Sequence, residues 1–368
     1  MPKAAVCDEI GSPITVQDVD LDDPRAGELR IRTAAAGVCH SDLSVQNGTL
    51  LQPIPAVLGH EGAGVVEQIG EGVTGFDVGD HVVVSWVPQC GQCFYCAHGQ
   101  PELCEVGLTA LVTGGQLDGT PRFSRDGEPL LQMASAGLFS EETVIPAIGA
   151  VKINKELPLA SAALIGCGVL TGFGAAVNTA DIKPGDSVAV LGCGGVGLNT
   201  IQGAVHAGAD RVIGIDMLDT KLAMAEEFGA THIINPRHGD ATEQVMELTD
   251  GRGADVAFEV IGLPATIEQT VAMTRRGGQA VLVGVPNMES TVEFNAAMEF
   301  LVAEKQLRGC WYGSSTTHRD VPMLADLYKD GKLKLDELIS AEIDLDGVNE
   351  AFTAMENGEV ARSVIIFD

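Results

Sequence analysis

Short apolar runs separated by glycine and proline fill the first 150 residues. Residues 64–70 and His81–Val84 read as strands between turns, the texture of a β-rich, barrel-like domain. From about Leu170 the pattern changes. Ser187–Leu191 has the apolar run of a buried strand, and a helical stretch follows over 196–207. Strand Arg211–Ile215, helix 220–228 and strand 232–235 come next, and apolar runs at 256–260 and 280–285 extend the series. Strands alternating with helices predict βαβ units and a doubly wound parallel sheet. Beyond Arg308 one helix, over 321–329, precedes a final strand over 363–367, late enough to return to the first domain. The pattern predicts an α/β protein with a β-rich domain over 1–169, a parallel-sheet domain over 170–309 and a return segment over 310–368.

A chain of 368 residues with 45% hydrophobic content can bury a large core, and two domains are the expectation at this length. Residues 160–177 are mostly apolar, but Gly, Ser, Thr and Cys interrupt them, which suits a packed core better than lipid. The start reaches Asp8 and Glu9 before a signal-peptide apolar region could form, so the expectation is a cytoplasmic protein. Against 22 Lys+Arg stand 51 Asp+Glu, a net charge of −29. That field repels phosphate backbones and anionic headgroups, and neither nucleic acid nor a membrane is expected as a partner. Only 9 of the basic residues are lysines, a surface that fits adaptation to high salt and equally fits an ordinary acidic enzyme. Nine cysteines without a signal peptide point to metal or thiol chemistry rather than disulfides.

Gly192, Gly194 and Gly197 complete G-x-G-x-x-G, with Cys193, Gly195 and Val196 between them. Among 45 glycines such a match is weak alone, but it lies between a strand and a helix, where a dinucleotide-binding loop belongs. There the glycines permit a tight turn and let a pyrophosphate approach the backbone at the helix N-terminus. The second strand ends at Asp216, 19 residues after Gly197. A carboxylate there hydrogen-bonds an adenosine ribose and repels a 2′-phosphate, which favours NAD over NADP. The alternative is a tight turn packing a helix on a sheet, with Asp216 merely solvated.

Cys90, Cys93, Cys96 and Cys104 give C-x2-C-x2-C-x7-C, four thiolates within 15 residues that can wrap one tetrahedral structural zinc. An iron–sulfur cluster is the competing reading, since the first three cysteines resemble ferredoxin spacing. The other candidates are scattered: Cys39 in a Gly-Val-Cys-His-Ser-Asp run, His60 in Gly-His-Glu-Gly, and Cys167 between two glycines. Singly each suits a core position. Together, two cysteines and a histidine with an open fourth position are a catalytic zinc composition. Cys7, Cys193 and Cys310 read as ordinary packing.

These motifs, in this order, resemble the zinc-dependent medium-chain alcohol dehydrogenases along essentially the whole chain, with a GroES-like catalytic domain and a Rossmann coenzyme domain. The segment 108–139, with Asp118, Gly119, Thr120, Arg122 and Phe123, is similar to the class holding the animal liver enzymes and glutathione-dependent formaldehyde dehydrogenase. The resemblance implies two zinc ions per subunit, NAD(H), and a homodimer, with a tetramer as the alternative. Cys39, His60 and Cys167 would hold the catalytic zinc with Glu61 beside it as a further ligand, and Asp42 would buttress His60. That zinc would polarise the alcohol oxygen, and hydride would pass to the nicotinamide. Ser41 stands at the proton-relay hydroxyl. Thr171 would pack on the nicotinamide, Val283 and the backbone of Cys310 and Tyr312 would hold its carboxamide, His40 and Arg362 would meet the pyrophosphate, and Lys221 the adenosine ribose.

Departures from the family matter as well. The histidine that passes the proton to solvent in liver-type enzymes is Ser44 here. Where the glutathione-dependent members carry an acidic residue and an arginine, this chain has Leu50 and Leu108. An apolar mouth cannot offset the desolvation of glutathione carboxylates. Trp86, Leu50, Leu108 and Met133 would line a hydrophobic pocket for medium-chain or aromatic primary alcohols and their aldehydes. A formaldehyde dehydrogenase acting on another thiol adduct is the second expectation, and a non-enzymatic NAD-binding structural or sensor protein the third.

Overall fold

In the computed structural model, which describes residues 1–367, the chain divides into two compact units: Met1–Gly168 together with the segment from Thr316 onward, and Val169–Ser315. The sequence pattern places the return at 310, whereas 310–315 stay with the second unit. The reason is local: the Cys310 amide donates to the Leu282 carbonyl at 2.8 Å, and Asn178 and Thr179 hold the residues that follow.

The second unit is built on a six-stranded sheet, all parallel. Its order across the sheet is His232–Ile234, Arg211–Ile215, Ser187–Leu191, Ala254–Glu259, Thr274–Leu282 and Gln306–Gly309. The chain therefore starts in the middle and winds outward in both directions, the doubly wound arrangement expected from the alternating pattern. Strands buried on both faces have to be apolar throughout, and Ala189, Leu191, Ile213, Ile215, Ile234 and Ala257 meet in one core cluster. The fifth strand ends at Leu282, short of the apolar run over 280–285. The Val283 and Gly284 amides both turn onto the Glu259 carbonyl, at 2.9 and 3.0 Å, so the ladder closes there.

In the first unit the 11-residue strand Glu28–Val38 organises a seven-stranded sheet. Gly62–Ile69 pairs along one edge; Glu142–Pro146 and the late strand Arg362–Ile366 share the other, all antiparallel. The chain's end thus does return, bonding Val38 to Ser363 and Gly37 to Val364 in register. A second sheet of six short strands includes Lys3–Cys7, Phe123–Arg125 and Glu128–Gln132. Arg122, whose side chain is fully buried, ties the segment 108–139 to the central strand by donating from Nε to Glu28 at 2.9 Å, and it braces the segment itself by donating from Nη2 to Asp118 at 2.8 Å.

The apolar run near 160–177 forms the helical stretch Leu159–Thr179, and 83% of its most apolar window is buried inside the protein. Two of its turns are π-helical, Ile165–Val169 and Ala175–Thr179. Such turns widen a helix by one residue and concentrate at functional positions.

Candidate metal and dinucleotide sites

Cys39 ends the central strand's run, and the helix His40–Gln46 starts immediately after it. Asp42, in the first turn of that helix, is completely buried and reaches back to its own start: its Oδ2 accepts the Cys39 amide at 3.0 Å. The Oδ1 accepts the Gly59 amide at 3.1 Å and faces His60 Nδ1 at 3.0 Å. One carboxylate therefore fixes both loops that carry a candidate ligand, and it commits Nδ1, leaving Nε2 as the ligand atom. Burial alone would lower the His60 pKa, but the neighbouring Asp42 carboxylate outweighs it and holds the imidazole well above its ordinary value.

Cys167 arrives from the first π turn. One ligand atom each from Cys39, His60 and Cys167 lies within 4.8 Å of the other two, and all three residues are buried. His60 Nε2 has no hydrogen-bond partner in that enclosure. A buried orphan nitrogen facing two sulfurs costs free energy unless a metal takes it, so the donor set fits zinc. The hydrogen bond from Cys167 holds the Cys39 thiol well below the usual thiol range against its burial, helped by Arg362 and His60, and pushes Cys167 up. Ser41 Oγ lies 3.9 Å from Cys39 Sγ. His40 is exposed at the helix start.

Glu61 departs from the expected ligand set. Its carboxylate pairs with Arg362 (Oε1 to Nε 3.1 Å, Oε2 to Nη2 3.3 Å) and accepts the Gly168 amide at 2.6 Å. A buried anion takes its partner from the nearest cation, and here that is the guanidinium. Burial pushes the Glu61 carboxyl up to about 7, against the pull of Arg362. Arg362 itself is only 7% exposed and holds Glu61 and the Val38 carbonyl.

Trp86 meets the His60 ring edge-on, centroids 6.3 Å apart. Trp86, Leu50 and Met133 join one apolar cluster; Leu108 does not, standing 54% exposed on the helix Glu105–Thr113 while Leu111 of the same helix packs inward.

In the lobe, Cys90, Cys93, Cys96 and Cys104 converge within 4.8 Å of one another. The Cys93 amide donates to Cys90 Sγ and the Cys90 amide to Cys104 Sγ, each at 3.4 Å, and the Cys96 amide holds the Cys93 thiol down at about 6. Amides aimed at sulfur stabilise thiolates, which fits a closed four-cysteine zinc. All nine cysteines are free of disulfides, and Cys7, Cys193 and Cys310 are buried.

In the second unit the glycine loop is shaped by what surrounds it. Gly192 has φ +101°, and a Cβ on Gly197 would fall 1.8 Å from the Gly192 carbonyl, so a side chain cannot fit there. A Cβ on Gly194 would meet nothing within 4 Å: that face is open. The helix Gly195–His206 begins there with no side-chain cap, leaving its first amides for an anion, a cradle that fits a dinucleotide pyrophosphate. Gly195 and Val196 are half-buried in its first turn. Asp216 is held by the Cys193 amide at 2.9 Å and the Leu218 amide at 3.0 Å, which ties this carboxylate to the glycine loop. Lys221 lies on the helix Asp219–Glu227, Thr171 is half-buried on Leu170–Gly174, and Val283 is buried just past the fifth strand. Sequence reasoning missed Glu259, a fully buried carboxylate that accepts the Ile261 and Gly262 amides (3.0 and 2.8 Å) and the Thr266 hydroxyl, fixing the turn beside Gly192. The signal available was a glutamate closing a strand directly after the apolar residues Val256, Ala257 and Phe258.

Known proteins agree with this geometry. Residues 25–155 match the alcohol dehydrogenase GroES-like domain and residues 195–330 the zinc-binding dehydrogenase domain. An NDMA-dependent alcohol dehydrogenase of Amycolatopsis methanolica is 41% identical over 99% of this chain and 98% of that protein. An S-(hydroxymethyl)glutathione dehydrogenase of Paracoccus denitrificans is 38% identical over 99% of both. The crystal structure of benzyl alcohol dehydrogenase from Acinetobacter calcoaceticus superposes with a TM-score of 0.94 at 31% identity, covering 100% of this chain and 99% of that one. Fold and site define an oxidoreductase of zinc and a nucleotide cofactor. The chain belongs to the zinc-dependent medium-chain alcohol dehydrogenase family.

Because the Asp42 carboxylate holds His60 Nδ1, Asp42→Asn should weaken metal binding at the Cys39 site about 10–100-fold. Competition against a chelator, read by metal content, measures this; unchanged affinity would show that the carboxylate does not set the ligand.

Proposed function

We propose that the protein interconverts primary alcohols, medium-chain or aromatic, with their aldehydes using NAD, and that each subunit holds two zinc ions. The observation that carries this reading is the buried trio of Cys39, His60 and Cys167, three ligands rather than four, beside the apolar cluster of Trp86, Leu50 and Met133. A three-ligand composition is that of a catalytic rather than a structural zinc. When bound, zinc supplies Lewis-acid polarisation of the alcohol oxygen and NAD accepts the hydride. The chain's own residues do the rest. Asp42 keeps His60 in one orientation. Ser41 Oγ, beside Cys39, relays the alcohol proton, taking it up as its own hydroxyl proton passes on to water. Trp86, Leu50 and Met133 take the apolar part of the substrate and exclude water. Asp216 accepts from the adenosine ribose and repels a 2′-phosphate.

A second reading has a specific observation behind it: the Amycolatopsis relative is named for dependence on NDMA. In that case alcohol oxidation would require NDMA as acceptor. The Paracoccus relative keeps the thiol-adduct reading in view, although Leu50 belongs to an apolar cluster that offers glutathione carboxylates no partner.

Purified protein given benzyl alcohol and NAD, without thiol, should reduce NAD steadily, and NADP should serve about a hundredfold less well because two like charges would meet at Asp216. Turnover only with NDMA, or only with formaldehyde plus a thiol, would replace the leading reading with the corresponding one.

We also propose a homodimer joined along the outer edge of the parallel sheet. All four residues of the edge strand Gln306–Gly309 are exposed, and Met298, Leu301 and Val302 stand exposed beside it in a chain of charge −29. An unpaired edge flanked by apolar side chains is a template for a second copy. Light scattering should give twice the chain mass for the wild type and the chain mass for Leu301→Asp; a wild-type monomer contradicts the proposal.

A further inference from the structure

The loop 310–314 follows the carboxyl end of the last strand, the side of an open parallel sheet where ligands bind. It holds three consecutive residues in the left-handed region: Tyr312 at φ +51°, Gly313 at +67° and Ser314 at +47°. For tyrosine and serine that conformation is strained, and strain persists only where surrounding contacts over-determine it. The contacts here come from the second π turn, Ala175–Thr179, closed by the Ala180 amide on the Ala175 carbonyl at 2.9 Å. Asn178 Nδ2 donates to the Gly313 carbonyl at 3.1 Å. The buried Thr179 hydroxyl donates to Cys310 Sγ at 3.3 Å and shares a 2.8 Å hydrogen bond with the Ser314 hydroxyl. Two glycines let the loop lie against the helix: a Cβ on Gly313 would meet the Leu170 carbonyl at 2.1 Å, and one on Gly174 the Gly313 carbonyl at 2.4 Å.

We infer that Asn178 and Thr179 are positioning residues that lock the strained loop 310–314 so that its backbone is preset to receive the nicotinamide end of the cofactor. This rests on the dinucleotide reading of the second unit. Thr171 lies on the same helix, one turn before Gly174, so helix and loop together form one preassembled clamp for that end of the ligand. The adenosine end is held elsewhere, by the glycine loop and Asp216. The lock therefore acts on one half of the cofactor.

That asymmetry supplies the test. Binding of NADH and of ADP-ribose, which lacks the nicotinamide, is measured by calorimetry for the wild type, Asn178→Ala, Thr179→Val and Thr179→Ser. Thr179→Val and Asn178→Ala should each weaken NADH about fivefold or more, the equilibrium equivalent of one lost hydrogen bond, and leave ADP-ribose within about twofold. Thr179→Ser, which keeps the hydroxyl, should bind NADH as the wild type does. Equal weakening of both ligands, or of neither, overturns the lock. A wild type that binds neither ligand overturns the dinucleotide reading itself, and the lock with it.

Discussion

The interaction on which the rest depends is the Asp42 carboxylate and the groups that converge on it. The Cys39 amide, the Gly59 amide and His60 Nδ1 all lie 3.0–3.1 Å from its two oxygens, in a place closed to water. Two loops 20 residues apart in sequence are thereby held in one geometry, and each presents a metal ligand. The second nitrogen of His60 faces the two sulfurs and has no hydrogen-bond partner of its own. The space behind them is filled just as tightly: a Cβ on Gly37 would fall 2.1 Å from Glu61 Oε1, so the strand needs glycine there for the Glu61–Arg362 pair to form. From there the Arg362 guanidinium also favours the charged form of the Cys39 thiol.

Much of this could be read from the chain. Parallel strands buried on both faces must be apolar along their whole length, so Ser187–Leu191 and Arg211–Ile215 stand out as uninterrupted runs, and the structure has both with these limits. The four lobe cysteines are close in sequence, and the late strand Arg362–Ile366 announces a return by its position alone. What the sequence hid depends on contacts across long separations. Glu61 and Arg362 are 301 residues apart, and no local pattern says that they spend their charges on each other. Leu108 was hidden for a different reason. On the helix Glu105–Thr113, Val106, Leu108, Leu111 and Val112 do not fall on a single stripe, so apolarity alone does not tell which of them faces inward. Backbone strain is equally silent: nothing in Tyr-Gly-Ser announces three left-handed residues.

The two units divide the chemistry. The first supplies metal ligands and an apolar enclosure; the second supplies a glycine loop with open amides and a carboxylate tied to it. In each, buried carboxylates do the positioning. Asp42 sets the ligand loops, and Glu259 sets the turn against which Gly192 packs. In a protein with a net charge of −29, these two carboxylates lie inside on amide donors, while the bulk of the acidic residues face solvent.

The central claim is that an alcohol held at the Cys39, His60 and Cys167 site passes hydride directly to a nicotinamide. Benzyl alcohol deuterated at its reacting carbon, oxidised by the purified protein with NAD and followed by mass spectrometry of the reduced cofactor, tests it most directly. The account predicts that the deuterium appears in the reduced nicotinamide. Reduced cofactor without deuterium, or oxidised alcohol with the cofactor left unlabelled and the label in water, would contradict it.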